Sequence, residues 1–162
     1  MRARLDAWPP SLQRLLVALH VDFEPRRPPS SGEVIVASVV AIVGSLGADM
    51  ALVAIATHVF PSTKGYVHFR FSDYAKLTTI GVVIACCAWP VVARVTSRPK
   101  WLFVRLAVAT TAVLYVPDFY IWYRGQPAKA VAVLMCMHLA IAVVTYESLV
   151  VLAPVRRGRH VR

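Results

Sequence analysis

VIVASVVAIVGSLGADMALVAIATHVF, residues 34–60, is an apolar stretch interrupted by a single acid, and it decides the fold. A helix needs roughly 20 such residues to cross a hydrocarbon core of about 30 Å. Three more blocks of similar length and character follow, at 74–95, 101–123 and 128–153. None shows the period-2 alternation, in segments of about ten residues, that is typical of a membrane barrel. The sequence therefore predicts an all-α fold, a four-helix transmembrane bundle.

Composition also indicates a membrane protein, with one domain. The chain has 162 residues, is 58% hydrophobic and has a mean hydropathy of +0.61, whereas soluble domains are roughly 45–50% apolar. The joints after residues 95 and 123 are very short, so consecutive helices must lie antiparallel. We divide the chain into an N-terminal segment (1–33), a transmembrane domain (34–153) and a basic tail (154–162).

The N-terminal segment does not fit a signal peptide, because its apolar core is short and no small-residue cleavage site follows it. Its apolar residues instead fall on one helical face, away from Arg14. We expect an amphipathic helix on the cytoplasmic membrane surface, with Arg14 at the interface. Packing of that face on the ends of the spans is the alternative. A proline-rich linker (24–33) follows. The apolar face consists of Leu12, Leu15, Leu16, Leu19 and Phe23.

Lys and Arg are divided unevenly between the two sides of the predicted bundle. Thirteen lie in the N-terminal segment, around the second joint and in the tail, and five lie on the other side. By the positive-inside rule we expect both termini in the cytoplasm and a multi-pass protein of the bacterial inner (cell) membrane. Attraction to anionic lipid then explains the net charge of +10, so the lipid bilayer is an expected partner and nucleic acid is not.

Four polar residues within the predicted spans are candidate site residues, since an Asp there costs about 2.5–3.5 kcal/mol on insertion scales. They are Asp49, Asp118, His138 and Glu147. At a rise of about 1.5 Å per residue, the first three fall in the outer half of the bundle and can share one layer. Small and polar residues repeat at helical steps around Asp49, which indicates that it points into the bundle. We call Asp49, Asp118 and His138 the polar trio.

The polar trio has two interpretations. Two carboxylates and an imidazole in a low dielectric can exchange protons, which indicates a proton- or cation-linked site. A hydrogen-bonded network that fixes helix register is the alternative. The spacing of histidines and acids fits no metal site, and the three cysteines form no redox or zinc motif. We therefore expect no metal and no cofactor.

Glu147 differs from the trio because it lies nine residues beyond His138 on the same span. At about 100° per residue, the two side chains face opposite sides of the helix. Glu147 then meets lipid, a cytoplasmic-side arginine such as Arg94 or Arg105, or another protein. We predict that Glu147 faces a partner chain, either another membrane protein or a second copy in a homo-oligomer, because lipid is the costly option.

Aromatic residues cluster at the two outer joints and predict an interfacial belt at the headgroup level. Tyr66 belongs to one joint, and Trp122 and Tyr123 to the other. The segment 65–74 is amphipathic enough to lie on the outer leaflet, and a lip that binds lipid or a partner is the alternative interpretation.

The segments AWPVVARV (88–95) and MHLAIAVV (137–144) resemble small, functionally uncharacterised four-span membrane proteins of actinobacteria. That resemblance implies the fold and a host envelope but no activity. In size and number of spans the chain also resembles the small multidrug resistance transporters, which use one carboxylate in the first span. Asp49 is the matching residue type, but that family has glutamate there and lacks the long basic N-terminal extension.

The chain contains no hydrolase elbow, phosphate loop, dinucleotide fingerprint or H-E-x-x-H motif, so we expect no enzyme and no catalytic residue. Our first hypothesis is a non-enzymatic accessory or assembly subunit of a larger inner-membrane complex, which docks around Glu147 and through the N-terminal surface helix. The alternative is a small proton-coupled carrier of a small molecule or lipid that uses the polar trio.

Overall fold

The computed structural model describes residues 9–18 and 28–156. Over these residues the chain forms one short and four long helices, with two single 3-10 turns between the second and third. The helices are α1 (Pro10–Ala18), α2 (Ser31–Val59), α3 (Phe71–Val95), α4 (Pro99–Tyr123) and α5 (Ala128–Leu152), and the 3-10 turns are Pro61–Thr63 and Val67–Phe69.

The four long helices, α2 to α5, are long and apolar enough to cross a membrane, as the sequence predicts. Their ends differ from the predicted spans by up to three residues. Helix α2 starts before residue 34 because Ser30 and Glu33 form a capping box: the Ser30 hydroxyl accepts from the Glu33 N–H, and the Glu33 carboxylate accepts from the Ser30 N–H. This pairing satisfies backbone groups that a helix start leaves open.

Each long helix runs antiparallel to the next, and the four do not pack equally. Helix α2 packs most extensively on α5; α3 packs mainly on α2, and α4 mainly on α5. Helices α3 and α4 are therefore the outer pair, and they contact each other less. Gly65 and Gly125 adopt positive φ values of 79° and 89° in the two joints on one side of the bundle, a conformation that glycine adopts without steric penalty.

The contact between α2 and α5 is close because the buried face of α2 carries small side chains. Gly44 lies directly on this contact: a Cβ added to it would come within 3.0 Å of a Val144 methyl carbon. Across the same seam the Ser45 and Thr145 hydroxyls lie 3.5 Å apart. Small residues let membrane helices approach in this way. The buried residues of α2 are Ala37, Ala41, Ser45, Asp49 and Ala56.

The apolar core occupies the half of the bundle where α2 and α4 begin and α3 and α5 end. Trp89 is its largest fully buried side chain, and its indole N–H donates to the Ala153 carbonyl at 2.9 Å. The Phe103 ring lies 4.9 Å from it, centroid to centroid, and joins α4 to α3 at this end. At the same end Arg156 contacts Glu33 at 2.6 Å.

Helix α1 lies at the position predicted for the N-terminal helix, and Arg14 is exposed on it. Leu19 and Phe23 of the predicted apolar face, and the basic residues of the tail beyond Arg156, lie outside the described residues. The location of α1 on a membrane surface therefore stays a prediction.

Candidate functional site

The polar residues of the spans lie in the opposite half of the bundle from the apolar core. Asp49 lies in the second half of α2, Asp118 near the end of α4, and His138 near the middle of α5. Thr78, near the start of α3, joins them. Each long helix thus contributes one polar side chain to the half that adjoins the joints 60–70 and 124–127.

Asp118 and His138 are in direct contact, with the imidazole Nδ1 3.3 Å from the carboxylate Oδ2. The same nitrogen lies closer, at 2.8 Å, to the Leu134 carbonyl oxygen one turn earlier. A carbonyl only accepts, so Nδ1 must carry the proton in that hydrogen bond. That proton is directed mainly to the backbone, and Asp118 Oδ2 is left buried without a hydrogen bond.

Asp49 is fully buried and is held by Thr78, whose hydroxyl donates to Oδ2 at 2.7 Å. Its other oxygen, Oδ1, is buried without a hydrogen-bond partner. His138 interacts electrostatically with Asp49 as well as with Asp118. The structure therefore brings Asp118 and His138 into contact, places Asp49 near enough for an electrostatic interaction with His138, and adds a threonine donor to Asp49.

A cavity of about 490 Å³ opens between α3, α4 and α5 on the polar half. Asp118, His138 and Thr78 line it, whereas Asp49 lies behind Thr78. Its other polar lining groups are His68 and Asp73, at the end near the joint 60–70. The remaining lining is apolar apart from Tyr74: Leu77, Ile80, Gly81, Leu114, Pro117, Ile121, Leu134, Met137 and Ile141.

The joint 60–70 lies next to this site, and Tyr66 turns toward it. The Tyr66 ring packs edge-on against His68 and Phe69, and its hydroxyl is buried without a hydrogen bond. Burial, with a smaller contribution from the Asp118 carboxylate, raises the pKa of the Tyr66 hydroxyl. Trp122 and Tyr123, the other predicted interfacial residues, are exposed at the end of α4.

Glu147 lies apart from this cluster, in a second groove of about 480 Å³ between α4 and α5. Its side chain is exposed and makes no hydrogen bond or ion pair with any described residue. Arg105 does not pair with it, because the guanidinium lies over the Trp101 ring at 3.8 Å. The groove is lined by Val104, Ala107, Val108, Thr111, Ala112, Tyr115, Leu139, Ala142, Val143, Tyr146 and Glu147.

Among the described residues, no three His, Cys, Asp or Glu side chains lie close enough to share a metal ion. The cysteines of the described region are free: Cys86 is buried, and Cys87 and Cys136 are exposed. The polar half thus offers hydrogen-bonding and proton-exchanging groups, and Thr78, Asp118 and His138 line a largely apolar cavity.

Sequence reasoning does not find two parts of this site. The bond from Thr78 to Asp49 joins residues 29 positions apart, and the electrostatic contact of Asp118 with His68 joins the end of α4 to a joint. For the hydrogen bond from Thr78 to Asp49, the available signal was a threonine near the start of a predicted span. The second has no signal in one sequence, since it depends on how the joint folds back.

The family of unknown function DUF6069 matches residues 25–154 of the chain. Comparison with curated proteins and with solved structures gives no match. The match covers all four long helices, and it assigns no activity to any residue.

We predict that Thr78→Val lowers the free energy of unfolding by about 1–3 kcal/mol, because it removes the donor that holds a buried carboxylate. Thr78→Ser keeps the hydroxyl and should lose much less. Thr79→Val, on the next residue of α3, is the matched control and should change stability by less than about 0.5 kcal/mol. The free energy of unfolding of the three variants and the wild type is measured by denaturation in mixed detergent micelles. Equal losses for Thr78→Val and Thr79→Val would contradict the assigned role.

Proposed function

The chain belongs to DUF6069, a family of unknown function, and we propose that it is a non-enzymatic accessory or assembly subunit of a larger inner-membrane complex. The observation that carries this proposal is Glu147, an exposed carboxylate without a partner among the described residues, about a turn and a half from the end of a helix that can span a membrane. A carboxylate facing hydrocarbon is costly, and such residues typically pair with another group.

The surroundings of Glu147 suit a helix of another protein. Ala107, Ala112 and Ala142 line the groove with small side chains, and such residues allow close approach of a further helix. Tyr146 adds a large amphipathic surface beside the acid. The proposed occupant is therefore a transmembrane helix that presents a Lys or Arg to Glu147, since charge complementarity selects that partner.

The proposal includes an actinobacterial cell membrane as the location, with both termini in the cytoplasm. The excess of Lys and Arg at the end of the bundle that carries the termini supports this orientation. It places the apolar core and Glu147 in the cytoplasmic half of the membrane and the polar trio in the outer half.

We predict that a cysteine placed at Gln126 reacts with a membrane-impermeant maleimide in intact cells. A cysteine at Ser97 should react after permeabilisation, because that joint lies on the cytoplasmic side. Both substitutions are made in a background where the native cysteines are replaced by alanine. Labelling of the Ser97 site, but not the Gln126 site, in intact cells would reverse the orientation.

The docking prediction is tested with a photo-crosslinking amino acid at Val143, which lines the groove, and at Ile84, an equally exposed residue on α3. We expect Val143 to link to one defined membrane protein and Ile84 not to do so. Glu147→Gln should reduce the linked product by about tenfold or more, since truncating one member of a buried charge pair costs about 2–5 kcal/mol.

The identified partner then allows a charge swap as the decisive control. Glu147→Lys should abolish the linked product, and replacing the partner's basic residue by Glu should restore it. Two results would contradict the proposal: a product formed with a second copy of this chain in place of another protein, or a product that Glu147→Gln leaves unchanged.

A second candidate function is a small proton-coupled carrier, and the contact between Asp118 and His138 at the cavity favours it. We predict that the protein in liposomes couples solute movement to proton movement, reported by a trapped pH-sensitive dye across a panel of anionic, neutral and cationic solutes. The double variant Asp49→Asn, Asp118→Asn should lose this coupling. Coupling of the same size in the double variant would exclude the mechanism.

A further inference from the structure

The cavity between α3, α4 and α5 contains a polar atom that the fold does not satisfy. The Asp118 side chain lines this cavity and is 7% exposed. Its Oδ2 lies buried against His138 without a hydrogen bond. The nearest proton, on His138 Nδ1, is directed to the Leu134 carbonyl. A carboxylate that is buried with so few donors is costly, so a donor that reaches the Asp118 carboxylate from the cavity is favoured at this place.

The charges around the cavity favour a cation as that donor. The described residues that line it include two carboxylates, Asp118 and Asp73, two imidazoles and no Lys or Arg. With histidine counted as neutral, the lining carries two negative charges and no positive one. A cation that also donates N–H bonds therefore complements Asp118 better than a neutral or anionic group. A metal ion is a poor alternative, because the described residues offer no group of three ligands.

The rest of the cavity is apolar, and its exposed lining residues indicate an opening between α3 and α4. Leu77, Ile80 and Leu114 line it and are 72%, 58% and 41% exposed, and they lie where the outer helices α3 and α4 separate. In a bilayer this opening faces lipid tails. A ligand with an apolar body can thus enter from the membrane, and a volume of about 490 Å³ lies within the range of about 300–1,000 Å³ that small-molecule sites occupy.

From these three observations we propose that the cavity binds an amphipathic molecule with one protonated amine, whose N–H groups donate to Asp118 and whose apolar chain lies between α3 and α4. His138 lies beside Asp118 in the cavity lining, and Thr78 forms the wall toward Asp49. The site does not depend on docking at Glu147. It does name the ligand class that the carrier hypothesis leaves open.

The test measures binding of tritiated n-decylamine to the purified full chain in phosphatidylcholine nanodiscs, with empty nanodiscs subtracted. We expect saturable binding of one amine per chain. Asp118→Asn should weaken it by about tenfold or more, because a hydrogen bond between two charged groups is lost. Unlabelled n-decanol, which has the same chain and no charge, should compete about tenfold less well than unlabelled decylamine.

A pair of glycine variants provides a control that leaves Asp118 intact. Gly81 lines the cavity, Gly47 does not, and a Cβ added to either meets no atom within 4 Å. Both are exposed helix positions, so replacement by Leu should be tolerated equally. Gly81→Leu should fill the cavity and weaken decylamine binding by about tenfold or more, whereas Gly47→Leu should change it by less than about twofold.

Three results would overturn the proposal: no saturable decylamine binding by the folded wild-type protein, decanol competing as well as decylamine, or Gly81→Leu and Asp118→Asn both binding like wild type.

Nanodiscs that contain phosphatidylethanolamine distinguish the source of the amine. Weaker decylamine binding there identifies an aminolipid as the occupant, and unchanged binding identifies a small lipophilic amine. Because binding is measured at equilibrium without a gradient, loss of coupled transport in liposomes leaves this inference unaffected.

Discussion

The close approach of α2 to α5 is the constraint on which the rest of the bundle depends. Gly44 and a row of buried alanines remove side-chain volume between these two helices, and a larger residue at Gly44 would have to displace the Val144 methyl group. Once α2 and α5 form a central pair, α3 and α4 pack on different members of it. The outer helices then touch where their own side chains are large enough to reach across.

That condition is met at one end of the bundle and not at the other. Trp89 and Phe103 bridge α3 and α4 in the apolar half. In the polar half Thr78 and Gly81 give α3 two small lining residues beside Leu77 and Ile80, and a cavity lies between α3 and α4. Helices α3 and α4 therefore form a closed core at one end of the bundle and an open site at the other. The site needs no separate structural element.

The polar half also differs from a simple structural network in how its carboxylates are satisfied. A network that only fixes helix register would be expected to pair its buried oxygens fully, since each unpaired one opposes folding. Here Asp49 and Asp118 each retain one buried oxygen without a hydrogen bond in the described structure. Asp118 faces the cavity and Asp49 does not, which separates the two acids that the sequence places in one layer.

Much of the fold could be predicted from the sequence, because helix length and hydropathy report directly on membrane spans. The buried face of α2 was also accessible, since its small and polar stripe through Ala41, Ser45 and Asp49 is the face that is buried. The rotation of α3 was not accessible in the same way. Its buried face runs through Thr78, Val82 and Trp89, whereas Gly81, a small residue on the same helix, is exposed.

The reason is physical. In a membrane, large apolar side chains suit lipid and protein equally, so hydrophobicity does not fix the rotation of a helix. A small residue on a central helix marks a close contact, but a small residue on an outer helix can equally mark a gap. The hydrogen bond from Thr78 to Asp49 and the opening between α3 and α4 both depend on the rotation of α3. Neither could therefore be derived from one sequence.

The ion pair between Glu33 and Arg156 has a topological consequence. It joins the first turn of α2 to the residues just after α5 at a distance of 2.6 Å, so the described bundle begins and ends at one point. The four antiparallel helices therefore form a ring in which three neighbouring pairs are joined by the chain, and the ends of the fourth pair, α5 and α2, are joined by this ion pair instead. If the chain were joined between residues 156 and 33 and opened at Gly125 instead, each helix would keep the same two neighbours.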